Sequence, residues 1–242
     1  MKSTQVNAFA KLLPVVCLYF IWSGSSIAAI TGTERLVYAI QVNGKSYKEN
    51  VIVHRTNDLL QYESCGNYTN PKVYAPGGKH CWDVLSTSDG HPRLIEYKVG
   101  KNNIRMTFSK DGHFELKGVW DGKKCFKQKN FENKIYVELS TLIRTFNLKH
   151  TKPLTFELVQ LPRLPNIETH HLYIQAIEDT KVKVPAGSFS CKKILLSASG
   201  YKGYFFKAYF YVSNDARQVI VKIENLPIGG VTELIKISFE PV

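Results

Sequence analysis

Polar and apolar residues alternate with a period of two along most of this chain, which is the pattern of β-strands that bury one face. In the first such segment Leu36, Tyr38 and Ile40 share a face, and the following Asn43-Gly44 is typical of a tight hairpin turn. The same alternation, interrupted by turns that contain Gly, Asn or Asp, predicts the rest of an antiparallel meander. The further strands are predicted at residues 51–53, 59–62, 93–99, 104–108, 113–120, 154–161, 171–177, 180–184, 192–197, 204–212, 219–224 and 232–239.

One segment departs from this rhythm. Residues 134–146 place Leu139, Leu142 and Phe146 at spacings of three and four, which gives one apolar stripe along a helix. Residues 135–137 also suit a strand, so the start of the helix is open. The pattern as a whole predicts a mainly β protein with one helix near its middle.

The amino-terminal segment has the three parts of a secretory signal peptide. Lys2 and Lys11 supply positive charge, residues 12–22 are apolar except for Pro14, and small residues follow at 23–29. A membrane-spanning helix needs about 20 apolar residues, and this core is much shorter. We therefore expect residues 1–28 to be removed near Ala28 or Ala29, leaving one domain at 29–242.

Cys17 lies inside the apolar core and lacks the small-residue sequence that precedes a lipid-modified cysteine. The chain is therefore not expected to be a lipoprotein, and we expect a soluble, exported product in the periplasm.

The net charge of the chain limits the classes of molecule that it is expected to bind. The chain carries a formal net charge of +12, and removal of Lys2 and Lys11 leaves 12 − 2 = +10. Its densest basic group is residues 123–129, with four lysines beside Phe126. Such a cluster suits nucleic acid or an anionic membrane surface, or it is a solvated loop. Export argues against nucleic acid, so an anionic membrane surface and a solvated loop remain open.

Four cysteines remain after export, and an even number in an exported chain predicts disulfides. Cys65 and Cys81 enclose a polar loop rich in Pro and Gly, which a disulfide would hold in place. Cys125 and Cys191 then either form a second pair by elimination or remain buried thiols.

The sequence offers no catalytic set. It has no Gly-x-Ser-x-Gly segment, and Glu168-Thr169-His170-His171 lacks the spacing of a zinc-protease helix. We therefore predict a protein without enzymatic activity, metal or cofactor. A hydrolase with a dispersed site stays an alternative, because catalytic groups can meet in space from distant positions.

The carboxy-terminal half resembles an exported bacterial family, domain-of-unknown-function family 3108. Its most specific match is Val184-Pro185-Ala186-Gly187-Ser188-Phe189, a turn that leads into a strand. Later parts are similar to an aromatic strand at 209–212, Arg217, the V-K-I-E strand with Lys222, and Gly229-Gly230. Earlier parts are similar to the family's opening strand at 32–38, with Tyr38, and to its single helix, with Ser140 and Arg144.

These motif residues also have a purely structural interpretation. Pro185 fixes φ and ends a strand, Gly187 permits a positive φ, and Phe189 can then cover the core.

The resemblance implies an envelope location and a fold similar to LolA-like lipoprotein carriers. In that architecture a curved antiparallel sheet, or incomplete β-barrel, has one central helix packed on it. The first hypothesis is thus a non-catalytic envelope protein that shelters a lipid-like ligand in a half-barrel. The alternative is an envelope assembly protein that binds a partner through edge strands and a basic surface. The ligand, its binding residues and any protein partner are not identified by the sequence.

Overall fold

The computed structural model describes residues 31–66, 80–132, 135–136, 139–149, 152–160, 168–198, 207–226 and 229–241. The predicted signal peptide, its cleavage site at Ala28 or Ala29 and Cys17 lie outside these ranges. No helix among the described residues is long and apolar enough to cross a membrane.

Within these ranges the chain forms fifteen strands and one helix. They are β1 (Gly32–Val42), β2 (Lys45–Arg55), β3 (Leu59–Gly66), β4 (His80–Thr87), β5 (Pro92–Val99), β6 (Asn102–Phe108), β7 (His113–Trp120), β8 (Lys123–Asn130), β9 (Ile135–Tyr136), α1 (Leu139–Thr145), β10 (Leu154–Gln160), β11 (Glu168–Val184), β12 (Gly187–Ala198), β13 (Lys207–Ser213), β14 (Ile220–Asn225) and β15 (Gly230–Pro241).

All fifteen strands belong to one sheet. Its order is β8-β7-β6-β5-β4-β3-β2-β1-β15-β14-β13-β12-β11-β10-β9. Neighbouring strands are antiparallel, except that β9 runs parallel to β10. The first and last strands therefore pair at the centre of the sheet, and each half is a meander.

Two hairpins show how the sequence sets this meander. Asn43 and Gly44 have φ of 50° and 73°, and Asp121 and Gly122 have φ of 49° and 73°. Positive φ at both central residues is the conformation that matches the twist of antiparallel strands. Asn-Gly and Asp-Gly adopt it at low cost, so these dipeptides fix the β1–β2 and β7–β8 registers.

The sheet is strongly curled. A flat sheet of fifteen strands would separate its two edge strands by about 67 Å. Yet β8 ends at Asn130 and β9 begins at Ile135, and five residue steps span at most about 18 Å. The two edges must therefore approach each other at this end, which gives the sheet the form of an incomplete barrel.

The core of the described residues consists of two apolar clusters. One joins buried residues of both halves, such as Ile95 and Leu116 from the first half and Val182 and Cys191 from the second. A second cluster places α1 against strands of the second half. The predicted fold class, a curved antiparallel sheet with one helix packed on it, is confirmed.

Several predicted boundaries were wrong. The start of the helix, which the sequence left open, is at Leu139, and Ile135–Tyr136 forms a strand that pairs with β10. Segments 171–177 and 180–184 form the single strand β11, with a bulge between Ala176 and Glu178. Strands β4 and β8 were not predicted. Residue 161 and residues 204–206 of two predicted strands lie outside the described residues.

Candidate functional site

The most unusual feature of the interior is a buried ion pair between the helix and the first strand. Glu34 lies on the same face of β1 as Leu36 and Tyr38, so the pleat points its carboxylate into the core. There Glu34 Oε2 lies 2.6 Å from Arg144 Nη2, and the two side chains are 2% and 0% exposed. Buried charges persist only when they are paired, so this contact fixes α1 relative to β1.

A backbone carbonyl extends the pair into a small polar group. Arg144 Nη2 also donates to the Arg217 carbonyl oxygen at 3.2 Å, and Arg55 Nη2 donates to the same oxygen at 3.2 Å. Tyr38 donates its hydroxyl to the Ile220 carbonyl at 2.8 Å. We call Glu34, Tyr38, Arg55, Arg144 and the Arg217 carbonyl the arginine centre.

Burial and charge act against each other in this centre. Burial lowers the pKa of Arg144, but the charge of Glu34 and its hydrogen bond outweigh burial, and the pKa lies above its ordinary value. For Arg55, burial and the nearby Arg144 lower the pKa. Burial raises the pKa of Tyr38, although Arg144 opposes the shift. Arg144 thus pairs directly with the Glu34 carboxylate, whereas the half-buried Arg55 joins the centre through the Arg217 carbonyl.

The interactions of Arg144 do not fully offset the burial of its charge. Its Nε and Nη1 atoms are buried and have no hydrogen-bond partner among the described residues. A guanidinium group carries five N–H donors, and an unpaired buried donor is costly. The pairing with Glu34 is therefore the main interaction that offsets the burial of this charge.

The β13–β14 turn closes the centre from the other side. Arg217 is held by Asp215, through its backbone N at 3.0 Å and its Nη2 at 2.7 Å. Gln218, at a φ of 49°, follows it. In the amide orientation that satisfies both of its polar atoms, Gln218 donates to the carbonyls of Arg144 at 2.9 Å and Phe146 at 3.1 Å. The turn therefore caps the end of α1, where carbonyl groups lack helical partners.

The apolar side of α1 covers a wide apolar surface. Leu142, Ile143 and Phe146 pack onto the inner face of β10–β14. We call this surface the helix floor; it consists of Phe156, Leu172, Ile174, Ile194, Leu196, Ala198, Ala208, Phe210, Val212 and Ile220. The helix has its main contacts with β13 and β14, so it packs on part of an apolar surface that extends across five strands.

The β4–β5 turn touches α1 as well. A Cβ atom on Gly90 would lie 2.1 Å from Thr145 Oγ1 and 3.2 Å from Thr145 Cβ, and Gly90 has a φ of +83°. Only glycine fits here, because any other residue would combine backbone strain with overlap. The helix therefore bridges both halves of the curled sheet.

The structure brings together three motif residues that are far apart in the sequence. Tyr38, Arg144 and Arg217 all belong to the arginine centre. Sequence reasoning missed Glu34 and Arg55. The position of Glu34 in the core-facing register of β1 was a signal that could have found it, since a charged residue there needs a buried partner.

The remaining motif residues lie elsewhere. Ser140 is half-buried in the first turn of α1. Pro185 lies in the two-residue turn between β11 and β12, and Gly187 has a φ of 134°. Phe189 packs against the first core cluster, and Lys222 lies in a row of ion pairs, 3.0 Å from Glu224 and 3.6 Å from Glu233.

The cysteines divide into a pair and two thiols. Cys65 and Cys81 face each other in the β3–β4 ladder and form a disulfide. Of the two alternatives for Cys125 and Cys191, the structure has free thiols and no pair, on strands at different places in the sheet, β8 and β12; Cys191 is buried and Cys125 is half-buried. Burial raises the pKa of Cys191 to about 11, so its thiol stays protonated near neutral pH.

The hydrolase alternative requires a histidine that contacts both a hydroxyl group and a carboxylate. His54 Nδ1 lies 2.9 Å from Thr33 Oγ1, but its Nε2 lies 3.9 Å from Glu63 Oε1, beyond hydrogen-bond reach. These residues lie on the convex face of β1–β3, opposite the core.

One solved structure has the same overall fold. A crystal structure of a β-barrel-like protein of domain of unknown function DUF1849 from Brucella abortus is similar, with a TM-score of 0.55 and 7% identity. The match covers 88% of this chain and 99% of that chain. A Bacteroides fragilis protein with a YmcC-like fold matches at a TM-score of 0.34 and 10% identity, over 86% of this chain and 96% of that chain.

No protein-family model matches the chain, and no curated protein matches it. The resemblance to family 3108 therefore stays a prediction. What the comparisons support is a barrel-like fold shared with a protein whose function is unknown.

Proposed function

We propose that this protein is an exported, non-catalytic carrier that holds a lipid-like chain against the helix floor, with α1 as a displaceable cover. The observation that carries the proposal is the contrast between the floor and its cover. Ten apolar residues line the floor, whereas α1 and the residue after it place three buried apolar side chains on it, with Leu139 and Leu148 partly buried against the same cluster. An elongated apolar ligand is the class of molecule that matches such a surface.

The free energies of apolar burial allow a ligand to replace α1 on the helix floor. Full burial of three side chains the size of Leu142, Ile143 and Phe146 is worth about 5–9 kcal/mol. An acyl chain with about 14 methylene groups gains about 11 kcal/mol when it is fully buried. A long chain can therefore replace the contacts that the helix gives up.

The ion pair suits a cover that opens. A buried ion pair adds little net stability, because the desolvation of both ions offsets their attraction. Displacement of α1 would carry Arg144 into water and let water reach Glu34, so the electrostatic cost of opening is small. With the helix in place the pair sets one defined closed geometry.

Export is supported by two separate features. The Cys65–Cys81 disulfide is typical of proteins from oxidising compartments. The amino-terminal segment has the composition of a cleavable signal. Periplasmic fractionation of a Gram-negative host, with amino-terminal sequencing, should give a mature chain that begins near Ala29; an uncut chain in the cytoplasm would contradict export.

A variant that makes opening of the helix more costly tests the carrier proposal. Glu34→Leu/Arg144→Met replaces the buried ion pair by apolar side chains, which displacement of α1 would expose to water. We expect this variant to bind a fluorescent fatty acid more weakly than wild type does. Glu240→Gln, which removes an exposed carboxylate, is the control and should bind as wild type does. Equal binding by the double variant and wild type would refute the cover, and no binding by wild type would refute the carrier.

A further inference from the structure

Strand β8 forms one edge of the sheet and carries an unusual concentration of positive charge. Among the described residues no strand pairs with its outer edge. Four of its eight residues are lysines, and all four are exposed. We call Lys123, Lys124, Lys127 and Lys129 the lysine edge.

The lysine edge is electrostatically unbalanced. In the part of the chain that the structure describes, none of its four ammonium groups lies within ion-pair distance of a carboxylate. Some lysines elsewhere in the sheet are paired, as Lys192 is with Asp179 and Lys222 with Glu224, whereas no other strand in the described ranges carries four lysines among eight residues. Lys129 Nζ lies over the Phe131 ring, 4.6 Å from its centroid, but no carboxylate of the described residues neutralises its charge. The positive charge of β8 is therefore available to an anionic partner.

The strand presents charge on both of its faces. Lys123, Lys127 and Lys129 stand opposite Trp120, Leu116 and Phe114 and so point to the concave side. Lys124 points to the convex side, together with Phe126, whose ring is 58% exposed. One edge thus combines four cations with a large exposed apolar ring.

We propose that the lysine edge docks the protein on an anionic membrane surface. Lipid head groups form a continuous plane of negative charge, so lysines from both faces of an edge can reach it together. Phe126 can enter the boundary between head groups and acyl chains. An acidic peptide added as a further strand is the competing partner, but lysines on an edge strand oppose strand addition. The inference does not depend on the proposed carrier function.

Vesicle co-sedimentation tests the proposal with the full mature chain. The vesicles consist of phosphatidylcholine with or without phosphatidylglycerol, at low and high salt. Each lysine near an anionic surface contributes about 1 kcal/mol, or about fivefold in affinity. We expect wild type to bind only anionic vesicles at low salt, and Lys→Gln at all four lysine-edge positions to lower the affinity at least a hundredfold.

The matched control removes the same charge elsewhere. Lys45, Lys48, Lys181 and Lys183 are exposed, lie on β2 and β11, and are changed to Gln together. We expect this variant to bind within a few-fold of wild type, and Phe126→Ser to lower binding several-fold without changing its salt dependence. Circular dichroism checks that each variant is folded.

Three results would overturn the proposal. Equal losses in the two four-lysine variants would assign binding to net charge alone. Unchanged binding of the lysine-edge variant would remove the edge from the interaction. Binding of poly-glutamate, lost in the lysine-edge variant and without binding to vesicles, would assign the edge to an acidic protein partner instead.

Discussion

Substitution of Glu34 by glutamine tests the arginine centre. The change keeps the shape of the side chain but removes the carboxylate that lies 2.6 Å from Arg144 Nη2. Because the guanidinium group is 0% exposed, its charge would then be buried without a counter-ion. Loss of one partner of a buried pair costs about 3–5 kcal/mol. The amide oxygen of the introduced glutamine can still accept one hydrogen bond, so we expect a loss near the lower limit, about 3 kcal/mol.

Urea unfolding at neutral pH, followed by tryptophan fluorescence, measures this loss. Arg144→Met should cost a similar amount, whereas Glu34→Leu/Arg144→Met should cost far less than the sum, because no charge then remains buried. Glu240→Gln is the matched control: it removes an exposed carboxylate 3.5 Å from Arg35 and should change stability by less than about 1 kcal/mol. Additive losses, or a Glu34→Gln loss as small as the control, would refute the reasoning.

Three further predictions test other parts of the fold. Cys65→Ser/Cys81→Ser should lower the free energy of unfolding by about 2–4 kcal/mol, and wild type in reductant should lose a similar amount in urea. Burial raises the pKa of Tyr136 to about 12, whereas an unfolded tyrosine ionises near about 10. The contribution of Tyr136 to the free energy of unfolding is therefore complete below about pH 10 and is lost as the pH rises to about 12. Urea unfolding across that range should show a smaller loss for Tyr136→Phe, and equal losses would contradict the assignment. Gly90→Ala should lower the melting temperature more than Gly100→Ala, since both have positive φ but only Gly90 meets another side chain.

The sequence predicted most of this sheet because most strands bury one face. The alternation in β1 or β6 leaves a clear period of two, and Asn-Gly or Asp-Gly marks the turn that follows. Strand β8 escaped prediction because it is exposed on both faces. It therefore carries no apolar period, and its lysines have the composition of a solvated loop.

Only part of the candidate site could be predicted from the sequence. Family motifs marked Tyr38 and Arg144, but spacing along the chain does not show that an opening strand and a central helix meet. Glu34 pairs with Arg144 across 110 positions, and such a contact depends on the curl of the whole sheet. A strand at 135–136 likewise forms only because β10 offers it a partner.

Hydrogen exchange with and without a long-chain fatty acid tests the central claim most directly. If α1 covers the ligand-binding surface, saturating ligand should speed amide exchange in Leu139–Thr145 and leave β13, Lys207–Ser213, protected beneath the bound chain. Unchanged exchange in α1 while the fatty acid is bound would contradict the cover and place the ligand elsewhere on the protein.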